Sequence, residues 1–162
     1  MIIKEGYSYH ISDSYFQKFS HLPNFASNKE NGNYRPHYFA LADKNIDGLY
    51  WIIPISSQVS KYKRIIADKI KKYKKCDTIV IGEFNGSENA FLIQNAIPMI
   101  SQYVDHVHKV SGVEITIHKK LEKELKHKMN SVLVLHKKGI SLLYTDIDTI
   151  LKDLLLELNS NH

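Results

Sequence analysis

The chain changes its hydrophobic rhythm several times, and the changes separate a strand-rich first part from a helical close. Residues 7–11 predict a short strand. Ser12 then stands where a helix N-cap belongs, ahead of a helix that turns Tyr15, Phe16 and Phe19 inward. Residues 23–33 are rich in Asn, Ser and Gly and predict a loop, long enough in a compact domain to suggest a functional one. Residues 37–43 and 49–54 predict two strands joined by a tight turn at Asp47-Gly48. Pro54 offers no N–H to a ladder, so the second strand is expected to end there or to lie at a sheet edge.

In residues 60–75, Tyr62, Ile65, Ile66, Ile70 and Tyr73 fall on one helical face with lysines opposite. Residues 77–83 and 90–93 predict strands around a turn at Asn85-Gly86. Residues 96–100 and 103–107 are apolar, and their pattern leaves strand and helix open. Ile117, Leu121, Leu125, Val132, Leu133 and His136 mark a long amphipathic helix ending before Gly139, with Asn130 and Ser131 as a candidate interruption. Thr145 and Asp148 form a capping-box pattern in which Asp replaces the usual Glu or Gln. It opens a last helix with Ile147, Ile150, Leu151, Leu154, Leu155 and Leu158 on its apolar side. Hairpins early and helices late predict an α+β fold rather than a parallel βαβ design.

At 162 residues the chain is expected to form one domain, residues 1–162, with a core of its own. No apolar run approaches the roughly 18 residues of a membrane helix, and nothing resembles a signal peptide. Cys76 is the single cysteine and excludes an internal disulfide framework. These features read as a cytoplasmic protein without membrane contact. The formal charge of +5 matters less than its distribution. Lys61, Lys63, Arg64, Lys69, Lys71, Lys72, Lys74 and Lys75 crowd one helix against Asp68 alone. That stretch suits a polyanion, and it equally suits a solvated face that keeps a protein in solution.

Chemistry enters with two segments that the early hairpin brings side by side. One is Tyr34-Arg35-Pro36-His37-Tyr38-Phe39; the other is Trp51-Ile52-Ile53-Pro54-Ile55-Ser56-Ser57, followed by Lys61, Lys63 and Arg64. RNA can be cleaved without metal when its 2′-hydroxyl attacks the adjacent phosphorus. The catalyst must then accept one proton, donate another and neutralise charge on the phosphoryl oxygens. His37 suits the proton work, Ser56 and Ser57 can fix a phosphate, and Lys61 and Arg64 sit where a helix N-terminus also favours an anion. Tyr34, beside Arg35 on a loop, suits stacking on an unpaired base. Each residue also has a structural reading: His37 as packing at a strand end, the serines as turn and cap residues, the tyrosines as core. His106-x-His108 would place two imidazoles on one strand face, but no spacing supplies a further zinc ligand, so neither metal nor cofactor is expected. No G-x-S-x-G, P-loop or G-x-G-x-x-G is present.

The order of these pieces resembles the toxins of type III toxin–antitoxin and abortive-infection systems, the ToxN/AbiQ family of endoribonucleases, and within it the CptN-like subgroup. The matching stretches are the N-terminal strand and helix, the segment from Tyr34 to Leu41, Ile53-Pro54-Ile55-Ser56-Ser57, and Leu92-Ile93-Gln94-Asn95-Ala96-Ile97-Pro98-Met99-Ile100. The resemblance implies a compact, strongly bent antiparallel sheet similar to the Kid/MazF toxins, elaborated by several helices. It implies metal-independent RNA cleavage that leaves a 2′,3′-cyclic phosphate and a 5′-hydroxyl. It also implies inhibition by a small repeat RNA folded as a pseudoknot, which the toxin processes, and closed protein–RNA assemblies. Carried onto this chain, Ser57 matches the family's key serine, Ser56 the hydroxyl before it, and Tyr34 the loop tyrosine, with Asn33 next to it. His37 falls where relatives carry lysine. The family lysine after the serines would fall at Val59, and Lys61 is the substitute here. Catalysis is thus expected from Ser57, His37, Lys61, Ser56 and Tyr34, and RNA binding from Arg35, Lys63, Arg64, Lys69, Lys71 and Lys72. Cellular or phage mRNA would be the substrate. The rival readings are a non-catalytic RNA- or DNA-binding module, which needs the same cations but no proton transfer, and a scaffold protein.

Overall fold

The computed structural model describes residues 2–25, 27–30 and 32–160, and within these the side chains of Glu30, Tyr38, Phe39 and Ala40 are not described. In chain order the elements are β1 (Ser8–Ile11), α1 (Asp13–Phe19), β2 (Lys29–Glu30), β3 (Asn33–Tyr34), β4 (His37–Ala42), β5 (Leu49–Ser56) and α2 (Val59–Tyr73). They continue with β6 (Val80–Phe84), β7 (Ser87–Phe91), β8 (Ile97–Ile100), β9 (Val104–Val107), β10 (Lys109–Val110), β11 (Val113–Glu114), α3 (Lys119–Lys137) and α4 (Ile147–Ser160). The result is an α+β fold around a curled antiparallel half-barrel.

Seven strands form the main sheet in the order β6-β7-β5-β4-β1-β9, with β8 also on β5. All these pairings are antiparallel. The curl has identifiable causes. Register shifts interrupt β4–β5 between Phe39 and Leu41, and β1–β9 between His10 and Ile11, and such bulges bend a strand. Strand β5 also changes partner along its length, pairing with β8 from Leu49 to Ile52 and with β7 at Ile55 and Ser56.

Pro54 lies at that change of partner. The Pro54 carbonyl accepts from the Leu92 N–H on the β7/β8 side, while the Ile55 N–H donates to the Pro36 carbonyl on the β4 side. The missing proline N–H therefore faces the seam between two neighbours, where no ladder bond is required. The expectation that the strand ends at Pro54 or lies at an edge is corrected: β5 is central and runs on to Ser56.

The segments left open by periodicity are strands β8 and β9, each entered through a 3₁₀ turn. The predicted 23–33 loop carries the two-residue hairpin β2–β3. Helix α3 runs through Asn130 and Ser131 without a break, the Ser131 hydroxyl donating to the His127 carbonyl one turn back. Thr145 does not cap α4. Asp146 does, accepting the Thr149 N–H (3.2 Å) and hydroxyl (2.6 Å), while Thr145 is buried.

The main core joins Tyr15, Phe16 and Phe19 of α1, Leu125, Met129 and Val132 of α3, and Ile147, Ile150 and Leu154 of α4 to the sheet. Helix α3 packs on β4 and α4 on β8. Helix α2 stands apart. None of its residues is buried, and Tyr62, Ile65 and Ile66 rest on a second, small cluster of Ile79, Ala90 and Leu92. Among the described residues no helix is long and apolar enough to cross a membrane.

Candidate active site

Register brings the sequence candidates to one end of the sheet. Strand β4 enters at His37, which pairs with Pro54 on one side and with Tyr9 on the other. Tyr34 and Arg35 precede that entry, Ser56 ends β5 and Ser57 follows it; the two segments pair at His37 and Pro54, and the Ile55 N–H donates to the Pro36 carbonyl (3.2 Å). The β2–β3 hairpin is tied down beside them. The Asn28 amide donates to the Ile11 carbonyl (3.0 Å) and to Asp13 (3.1 Å), and the Tyr34 hydroxyl donates to the other Asp13 oxygen (2.9 Å). The hydrogen bonds from Tyr34 and Asn28 hold the Asp13 carboxyl below the usual carboxylate range, and the bond to Asp13 pushes the Tyr34 phenol up. Tyr34 stays 48% exposed, with the Lys29 ammonium 4.8 Å from its ring centroid.

The two serines differ. Ser56 is buried and its hydroxyl accepts the Gln58 N–H, so it shapes the turn into α2. Ser57 is exposed, and α2 begins at Val59 with no side chain capping it. The Val59 N–H donates to the Ser57 carbonyl (2.8 Å), so the N–H groups that the first turn can offer an anion are those of Ser60 and Lys61, and the Lys61 side chain is exposed in that turn.

His37 requires a correction. It is 1% exposed, packs with its ring centroid 6.0 Å from that of Phe16, and neither ring nitrogen has a hydrogen-bond partner among the described residues. Burial lowers its pKa to about 3; the Arg35 charge pushes the same way, the nearby Arg35 backbone works against it, and the His10 charge adds a smaller push down. The ring is enclosed and does not face solvent, so His37 is not carried into the proposed site as a proton-transfer group.

The lysine helix also divides. Arg64 is exposed near the start of α2. Lys63 pairs with Glu88 (3.1 Å). Lys69 turns toward the sheet and donates to Thr78 (2.8 Å) and Gln94 (3.3 Å), so it anchors the helix rather than facing a polyanion. Lys71 and Lys72 are exposed, but they lie about 15 Å along the helix from Lys61 at 1.5 Å per residue. Arg35 is half-buried next to Tyr34.

A row of imidazoles escapes the sequence pattern. The β1–β9 register sets His10 opposite His106, with rings stacked 4.5 Å apart. His10 Nε2 lies 2.7 Å from His108 Nδ1, and His106 Nδ1 lies 2.7 Å from Asp105 Oδ2. Burial, followed by its two imidazole neighbours, lowers the His10 pKa to about 4, and His108 shifts the same way. The His106-x-His108 spacing is visible in the sequence; its meeting with His10 depends on pairing between distant strands. Among the described residues, no group of three or more His, Cys, Asp or Glu is arranged to hold a metal ion.

This architecture matches a solved structure. AbiQ, a lactococcal anti-phage endoribonuclease belonging to the type III toxin–antitoxin system, aligns with a TM-score of 0.69 over 94% of this chain and 98% of its own. The chain shares the AbiQ fold. At 12% identity the likeness to AbiQ is one of fold, and the functional residues stand on their own geometry. No protein-family model and no curated protein matches the sequence.

Proposed function

We propose that this protein is a metal-independent endoribonuclease toxin of a type III toxin–antitoxin or abortive-infection system. It would cut mRNA to 2′,3′-cyclic phosphate and 5′-hydroxyl ends. It would also process, and be held inactive by, a small pseudoknot repeat RNA within a closed protein–RNA assembly in the cytoplasm. The observation that carries the reading is Ser57, exposed at the uncapped start of a basic helix on the curled sheet shared with AbiQ. In this reading the scissile phosphate rests on Ser57 and the Ser60 and Lys61 N–H groups of the first turn of α2. Lys61 stabilises the charge that grows on the phosphoryl oxygens as the 2′-oxygen, its proton passed to solvent water, bonds to phosphorus and the bond to the 5′-oxygen breaks, that oxygen taking a proton from solvent, with Arg64 supporting the charge. Tyr34, exposed with its hydroxyl held by Asp13, orients or stacks a base. Lys63, Lys71 and Lys72 bind RNA backbone beyond the cut.

RNA incubated with the purified protein in EDTA should yield cyclic-phosphate ends. Ser57→Ala should lower that rate by about 100-fold or more while RNA stays bound. Intact RNA with a salt-dependent mobility shift would instead support the binding-module reading, and a fully active Ser57→Ala would remove Ser57 from the site.

A further inference from the structure

The imidazole row borders a cleft of about 350 Å³ whose polar walls are His10, Ser12, Asp13, Tyr34, Asp105 and His106. Its chemistry differs from that around Ser57. Two stacked imidazoles and a phenol provide flat π surfaces. The hydrogen-bonding groups are mostly acceptors. Asp13 and Asp105 are carboxylates. His106 Nδ1 is the ring nitrogen engaged with Asp105, so Nε2 is the one left to meet a ligand. His108, behind His10, and Lys29, over Tyr34, complete the ionisable surroundings. The low pKa of His10 keeps that ring uncharged near neutral pH.

Two carboxylates repel a phosphate, so this cleft does not extend the phosphate site. They favour a neutral group rich in N–H donors. Strands β5 and β9 are three pairings apart, about 14 Å along the sheet at about 4.8 Å per step. A group held here therefore belongs to a different nucleotide from the phosphate on Ser57. Unpaired bases are recognised by stacking on aromatic side chains, histidine included, and by hydrogen bonds to their edges.

We propose that this cleft binds an unpaired nucleobase carrying an exocyclic amine, stacked on the His10–His106 pair with its amine toward Asp105 and Asp13. It thereby sets which RNA positions are cut. The proposal rests on the endoribonuclease reading for its cleavage role, but the binding can be measured without cleavage. Single-stranded 2′-O-methyl RNA oligonucleotides, which cannot be cut by 2′-hydroxyl attack, would carry A, C, G or U at each position in turn. Their affinities would be measured by fluorescence anisotropy alongside cleavage of the matching 2′-hydroxyl strands. At one position, uracil should bind about ten- to a hundredfold more weakly than an amine-bearing base. His106→Ala and the near-isosteric Asp105→Asn should each shrink that preference to about twofold or less. Equal binding of all four bases, or a preference unchanged in both variants, would overturn the proposal. If the preference is present and sensitive to the variants but no strand is cut, the cleft assignment holds and the endoribonuclease reading fails. If strands are cut with a preference that neither variant alters, the cleft assignment alone fails.

Discussion

Ser56 and Ser57 are adjacent in sequence and opposite in environment: one hydroxyl is buried in the turn that starts α2, the other faces solvent. The same contrast separates His37 from His106. His37 is neutral in the folded protein, with a pKa of about 3 against an ordinary value near 6.5. Between those values the unfolded chain binds a proton that the native state refuses. Stability is therefore fully present above pH 6.5 and falls as the pH drops toward 3. Replacing His37 by Leu removes two buried ring nitrogens without hydrogen-bond partners. Urea unfolding should show His37→Leu at least as stable as the native protein at pH 7, with a shallower loss on the acid side. Part of the loss persists, because His10 titrates low as well. RNA cleavage should survive the change, and its disappearance from a stably folded variant would restore His37 to the chemistry.

At the scale of elements, α2 shows what local pattern reveals and what it leaves out. Its amphipathic face is legible because helical periodicity is local. The fate of each lysine is not, since Lys69 meets Thr78 and Gln94 only once β6 and the turn after β7 are in place. Lys69→Ala should therefore cost about 1–3 kcal/mol of stability in thermal or urea unfolding. The double change Lys71→Ala with Lys72→Ala should leave stability nearly unchanged. It should also flatten the dependence of log K on log salt by about 0.7 for each single-strand phosphate those two lysines neutralise. An unaltered slope would take them out of the RNA interface. Pro54 teaches a related lesson. Its missing donor is plain in the sequence, but a strand that exchanges one neighbour for another can tolerate it in mid-sheet, and only the topology reveals the exchange. The Asp146 cap is hidden for a smaller reason, since Thr145 and Asp146 are both good capping types and the chain uses the second.

Across the whole molecule, the hairpin order and the closing helices follow from local signals, and the curled antiparallel sheet agrees with AbiQ. The histidine row follows from nothing local, because it needs β1 and β9 side by side, almost a hundred residues apart. Helix α2 adds a final consequence through its separate, shallow seat on Ile79, Ala90 and Leu92. Amide hydrogen exchange should find α2 opening as a unit, at a lower free energy than β4, β5 and α3, whose side chains fill the main core. Ser57 and Lys61 would then stand at the hinge of the least anchored helix, and RNA bound across them should slow exchange there more than anywhere else in the fold.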